Sequence, residues 1–365
     1  FVSKNSKELL SRYNIRMNVS QTIEVSEDTD LVTQNGSFEI SEGTIMSKPT
    51  LLMVNGHLEI NKNSEEALIS FVGFVVNGSV SYPDDLGNCL PPININGTAE
   101  AYPADAIRLK KKLILDKSFI IRAKNAKYYV KNKVIIADET LDISSLAAKH
   151  TTFITKKAII AENLLESAAR LFSDDTEIIV IPAGYAYVQE DTLDELMIKK
   201  YGDKLFVDGD LIIQSESENA LNKLSGLRVN GTVMILKRLA DRLFSLDIEY
   251  NDIKYIKGSM IKDKGMLHIS RHTLSRYNDG VTVSDCGIVK IDPDITPAEI
   301  EEKLQFTDCG MISCRPEQRA AVEIVSEDVG LIKDMDGQGF MDLETDDASL
   351  YDKNTQVIKA SSYKM

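Results

Sequence analysis

The chain has 365 residues, 43% hydrophobic and 27% charged, with few prolines and no tryptophan; this globular composition excludes collagen-like and wholly disordered chains. Its net charge of −14 argues against a nucleic-acid backbone or an anionic membrane as partner, since both attract basic surfaces. Cys89, Cys286, Cys309 and Cys314 are too sparse for a disulfide scaffold, and no run approaches the ~20 apolar residues of a membrane span.

Residues 1–30 hold one helix-like stretch, SKELLSRY at 6–13, and are expected to form an N-terminal cap. From residue 31 a pattern repeats. NGSFEI at 35–40 and NGHLEI at 55–60 nearly coincide. With Asn35 and Asn55 as one slot, apolar residues stand three before it (Val32, Leu52), three after (Phe38, Leu58) and five after (Ile40, Ile60). Asn77 and Asn96 fit the same slot, then Asp116, Asp138, Asp208, Asn230, Cys286 and Cys309. The steps from Asn35 to Asp138 are 20, 22, 19, 20 and 22 residues. Weaker copies put Lys156, Ala183, Lys264 and Val329 in the slot, and none is assigned between Asn230 and Lys264.

Alternating apolar positions on both sides of the slot predict strands. The glycine that follows it allows positive φ and so a corner. Small slot residues stacked on one another are expected to form a ladder that satisfies peptide groups at a buried corner. NSEEALISF, YPDDLGNCL, YPADAIRL, AENLLESAARLF, EDTLDELMIKKYG, ENALNKL, KRLADRLFSL and TPAEIEEKL are expected as short helices between strand pairs. A period of 20–25 residues marks a solenoid. The expected fold is one α/β solenoid over residues 31–333, about fourteen coils long, with a parallel sheet on one face and short helices on the other. Residues 334–365 are expected as an acidic C-terminal cap or tail, with a final coil near Asn354 as an option.

The strand–slot–helix unit resembles the leucine-rich repeat. The C-terminal unit IEEKLQFTDCGMI, with Leu304, Phe306, Cys309 and Ile312, is most similar to the cysteine-containing variant. The chain departs from that family in having polar residues five before the slot (Asp30, Thr50, Ser225) where the family has Leu. A right-handed parallel β-helix, similar to bactofilin-like polymers, is the alternative architecture. The resemblance implies binding along a concave sheet and implies no reaction.

Local motifs carry little chemistry. DMDGQGFMDLET places Asp334, Asp336 and Gly339 as an EF-hand loop would, but Thr345 stands where a bidentate Glu is needed, so an acidic turn is expected. His268 and His272 form HxxxH, but MLHIS reads as a strand, so the two rings need not converge on a metal. Cys286 and Cys309 are expected as free ladder thiols in preference to a disulfide, and Cys314 as core. Sequons at Asn18, Asn35, Asn77, Asn96 and Asn230 are read without glycans, four of them as by-products of an Asn-Gly corner whose Asn faces inward. No nucleophile elbow, phosphate loop or catalytic carboxylate pair is legible. No cofactor or metal is expected.

One row is a candidate partner-binding face. Two before the slot stand Thr33, Met53, Val75, Asn94, Ile114, Phe206 and Arg228, several apolar on the side away from the core. They form either an interaction stripe or residues that another layer covers. The functional expectation is a non-enzymatic module binding a protein or peptide, without nucleic acid or membrane insertion. A self-assembling structural or surface protein is the alternative, and an enzyme acting on an extended polymer is a third reading. Oligomeric state stays open. So does compartment: cytoplasmic is preferred, and secreted or cell-surface follows if a signal peptide precedes Phe1.

Overall fold

The computed structural model describes residues 2–3 and 24–334. The expected helix at 6–13, the calcium-like loop beyond Asp334 and the Asn354 coil lie outside the described residues. β1 (Val2–Ser3) and β2 (Glu24–Val25) pair with each other. The first large sheet stacks β3 (Asp30–Ile40), β4 (Thr50–Ile60), β5 (Phe71–Pro83) and β6 (Ile93–Tyr102) in sequence order. The second contains β7 (Ala106–Arg108), β8 (Lys112–Ile114), β9 (Lys127–Ile136), β10 (Thr152–Ala161) and β11 (Glu177–Ile181), with β7 and β8 pairing different halves of β9. The third contains β12 (Ala186–Val188), β13 (Lys204–Val207), β14 (Leu211–Ile213), β15 (Gly226–Leu236) and β16 (Asp247–Ile256).

In the last part of the chain each period adds one strand to each of two sheets. One sheet takes β17 (Ser259–Lys262), β19 (Val281–Ser284), β21 (Leu304–Thr307) and β23 (Ser326–Glu327). The other takes β18 (Met266–Ile269), β20 (Ile288–Ile291), β22 (Met311–Cys314) and β24 (Leu331–Asp334). All of these described pairings are parallel, which is the outcome when like strands recur at one period. The fold is therefore α/β: parallel sheets joined by short helices. After each corner the strand continues into a second arm, so the units make ladders on two sides where a leucine-rich repeat implies one.

No described ladder runs the length of the chain. It breaks after β6 at Pro103, after β11 at Pro182, and after β16 near Gly258, whose φ is +53°. Proline cannot donate a ladder bond, and a left-handed residue turns the strand aside. Each stack has its own core, for example Leu52, Val54, Phe74 and Val76 in the first and Val283, Ile300, Phe306 and Ile312 in the last.

The corners use two chemistries. In the first sheet Asn35, Asn55, Asn77 and Asn96 are in register, and Asn55 Nδ2 donates to Asn35 Oδ1 at 2.8 Å while Asn77 Nδ2 donates to Asn55 Oδ1 at 2.9 Å. These amides bond to each other on the exposed side of the corner, a correction to the inward-facing Asn expected from the sequence. The glycines beside them need their residue type: Gly78 has φ +143°, and a Cβ there would overlap the Gly56 carbonyl. In the last sheets the turn is made instead by Asp263, Asp285, Asp308 and Asp328, all at φ between 51° and 57°. There the slot does face inward: buried Cys286 and Cys309 donate Sγ–H to the carbonyls of Ser284 and Thr307 at 3.3 and 3.4 Å.

Several slots move. Asp116 is not a corner but the N-cap of the helix Lys117–Arg122, accepting from Phe119 N at 2.6 Å. Asp138 accepts from Thr140 N in a turn. The corners of those units fall at Lys110–Lys111 and Lys131–Asn132, since Lys112 pairs with Lys133 and Arg108 with Tyr129 on either side. A cap flanked by apolar residues copies the slot's pattern. The unplaced unit after Asn230 turns at Asn251, between Tyr250 and Asp252, and the Ala183 slot gives way to a corner near Gln189. YPADAIRL is a turn running into strand β7, not a helix.

Candidate functional site: a basic cleft between the first two sheets

The break after β6 builds the site. β6 pairs with β5 alone, and β7 and β8 pair with β9 alone, so among the described residues two sheet edges face unpaired. Between the sheets opens a cleft of about 1050 Å³. Six consecutive residues, Ala106–Lys111, line it from one side, and Glu59, Lys62 and Tyr102 from the other. Lys62 Nζ donates to the Ala106 carbonyl at 2.8 Å, supplying one bond the missing neighbour strand would have made.

The floor is a network of charges. Arg108 donates to Glu59 Oε1 at 2.5 Å and lies 5.2 Å over the Tyr102 ring. Glu100, its side chain almost buried, accepts from Lys131 Nζ at 2.7 Å and from the Tyr129 hydroxyl at 3.0 Å. Burial by itself would raise the Glu100 carboxyl, but those two bonds and the charges of Lys131 and Arg108 hold it below its ordinary value. Tyr129 answers in the other direction: burial, then the neighbouring Glu100, pushes its hydroxyl up to about 12. This network fastens the two sheets and leaves Glu100 ionised at neutral pH.

The lysines around it divide by position. Residues 106–133 hold ten Lys and Arg against one acidic residue, Asp116, in a chain whose net charge is −14. Lys131 is matched by Glu100, Lys133 by Asp208 at 2.8 Å, and Lys112 donates to Gln189 at 2.6 Å. Lys110, Lys111 and Lys156 are exposed and have no ion-pair partner among the described residues. Periodicity alone does not reveal this cleft. Its signal in the sequence is the basic run RLKKKL, which begins in the helix expected at YPADAIRL and ends short of the slot expected at Asp116.

On the first sheet's flank, His57 Nδ1 lies 2.8 Å from Ser79 Oγ and Nε2 lies 3.2 Å from Ser81 Oγ. A serine engages each ring nitrogen, so no carboxylate orients the imidazole as in a catalytic triad.

The expected binding row divides in the same way. Thr33, Met53, Val75 and Asn94 are in register on one face, as the alternation required. Met53 is nonetheless buried at 8% exposure, and Val75 and Asn94 are half-buried. Ile114 is 49% exposed beside β9. Phe206 is buried at 5%, packed with Ile135, Ile159 and Ile181 where the second and third sheets meet, its ring 6.4 Å from Tyr187. Arg228 is held by Asp247 at 2.7 Å and Glu249 at 3.3 Å. The seven residues do not form one exposed stripe, because a second sheet covers Phe206.

All four cysteines are free thiols, with Cys89 exposed and the others buried. His268 sits on β18 and bonds Asp292 at 2.5 Å, while His272 lies in the helix Arg271–Ser275. Among the described residues no cluster of three or more His, Cys, Asp or Glu could hold a metal ion, and no helix is long and apolar enough to cross a membrane. No family model, curated protein or solved structure matches the chain.

Proposed function

We propose that this chain is a non-enzymatic interaction module whose units stack as coils of a leucine-rich-repeat-like solenoid and bind a protein or peptide. Parallel pairing at a step of 19–25 residues, with glycines that admit no Cβ between successive coils, supports the stacking. The observation that carries the binding reading is the cleft after β6, which offers a preformed groove, open strand edges and unmatched lysines together. Selection of a displayed random-dodecapeptide library against the full chain tests it. The expected result is a recurring peptide family whose binding slows amide exchange in residues 102–114; a selection yielding no reproducible binder refutes it.

A second reading, end-to-end self-assembly, is favoured by one feature: β3 and the β23–β24 pair present unpaired edges among the described residues. Filaments that lengthen with concentration would support it. A monomer at every concentration in sedimentation would remove it.

A further inference from the structure

We infer that the occupant of the cleft is an extended acidic peptide that pairs with the open edge of β7 and sets carboxylates against Lys110 and Lys111 at the corner; this rests on the proposed peptide-binding function. Three observations converge. First, the three-residue strand β7 pairs with β9 on one side only and begins the run Ala106–Lys111 that lines the cleft; Ala106 itself is engaged, its N–H by the Pro103 carbonyl and its carbonyl by Lys62, which leaves the edge open from Ile107 onward. An unpaired edge in a preformed groove is the setting for strand addition, where backbone bonds give affinity and alternate side chains give specificity.

Second, the strand's own alternation fixes the pattern of its neighbour. Within β7, Arg108 points to one face and Ile107 to the other, because strand side chains alternate faces, and Lys110 and Lys111 follow at the corner. Leu109 packs against the second sheet's core, and Ile107 is 42% exposed. A strand laid beside β7 puts its side chains alternately beside Arg108 and Ile107, and its end reaches Lys110 and Lys111 at the corner. Apolar side chains suit the Ile107 side, and carboxylates suit the end at Lys110 and Lys111, since Arg108 is already matched by Glu59.

Third, the charge is placed for an acidic guest. Lys110 and Lys111 stand at the corner without ion-pair partners among the described residues, whereas Lys131 and Lys133 one period later are neutralised by Glu100 and Asp208. The carboxylates fixed at the cleft, Glu59 and Glu100, are already engaged by Arg108, Lys131 and Tyr129. A nucleic-acid strand has no peptide groups to pair with the open backbone edge, so the edge favours the peptide.

The test is fluorescence anisotropy with the full chain and a labelled Glu-Val-Glu-Val-Glu-Val peptide. Binding is expected to weaken at least tenfold in Lys110→Glu/Lys111→Glu and to fall steeply with salt. A peptide N-methylated at alternate residues is expected to lose binding too, since it cannot pair with the edge. Undiminished binding by either the double variant or the N-methylated peptide overturns the inference. So does an oligouridylate that binds more tightly than the peptide and is lost in the same variant. The dodecapeptide selection separates the two failures. If it yields only non-acidic binders indifferent to Lys110→Glu/Lys111→Glu, this inference falls and the binding reading stands; if it yields none, both fall.

Discussion

Gly78→Ala and Gly209→Ala form a matched pair that tests whether the corners are held by close stacking. Both glycines have nearly the same left-handed backbone, with φ of +143° and +138°. An L side chain there costs roughly 1–3 kcal/mol, and a loss of unfolded-state freedom returns about 0.4–1 kcal/mol. Gly209 should therefore show a net loss of at most about 2.5 kcal/mol, because its new methyl meets nothing within 4 Å. At Gly78 the methyl falls on the carbonyl oxygen of Gly56, well inside the 3.0 Å that real Cβ atoms do not cross. That neighbour is backbone and cannot rotate away, so β4 and β5 must separate at the corner. Overpacking of this kind adds about 1–3 kcal/mol, so Gly78→Ala should be the more damaging by that amount. Urea unfolding followed by far-ultraviolet circular dichroism reads the difference as a lower midpoint at similar slope. Equal midpoints for the two variants would refute the stacking argument, leaving only backbone strain.

Phe206→Ala should cost about 3–5 kcal/mol, because the ring fills the seam between the second and third sheets; a change under 1 kcal/mol in urea unfolding would show that the seam is loose. Asp208→Asn should cost roughly 1–3 kcal/mol, as it leaves half-buried Lys133 without its charge partner, and Lys133→Met on the same background should recover part of that loss. Glu190 tests acid sensitivity. Burial pushes its carboxyl up, but bonds from Lys200 and Tyr201 and from backbone amides outweigh burial and hold it at about 2, against an ordinary 4.5. A depressed carboxyl contributes stability above its ordinary value and loses it as pH falls toward the folded one. Glu190→Gln should therefore flatten the fall in urea midpoint between pH ~4.5 and ~2; an unchanged limb would count against the assignment. Cys89 alone should react quickly with a thiol reagent in the native protein. Cys286, Cys309 and Cys314 are buried, and burial pushes Cys309 up and Cys314 up to about 11, so two or more fast thiols would contradict the packing.

What the sequence by itself determined is whatever depends on neighbours along the chain. Alternation set the strands of the first sheet residue for residue, so that Asn35, Asn55, Asn77 and Asn96 fall into one register. Capping chemistry set TPAEIEEKL as the helix Pro297–Lys303, with its Thr296–Glu299 capping box. The period survived the change from an Asn-Gly corner to an Asp corner because both residue types reach a left-handed turn. Where an apolar beat surrounded a helix cap, as at Asp116, the same local rule pointed to the wrong place.

Only the tertiary structure decided where the ladders stop and which faces then meet. Nothing local to Phe206 says that Ile135 and Ile159 cover it, since the chain must break at Pro182 and bring another sheet against it. Nothing local to RLKKKL says that Lys131 and Lys133 find carboxylates while Lys110 and Lys111 do not, because Glu100 and Asp208 come from different sheets. Periodicity reports which way a side chain points. Burial and charge pairing depend on what lies opposite, and in this chain that is set by the breaks between its repeats.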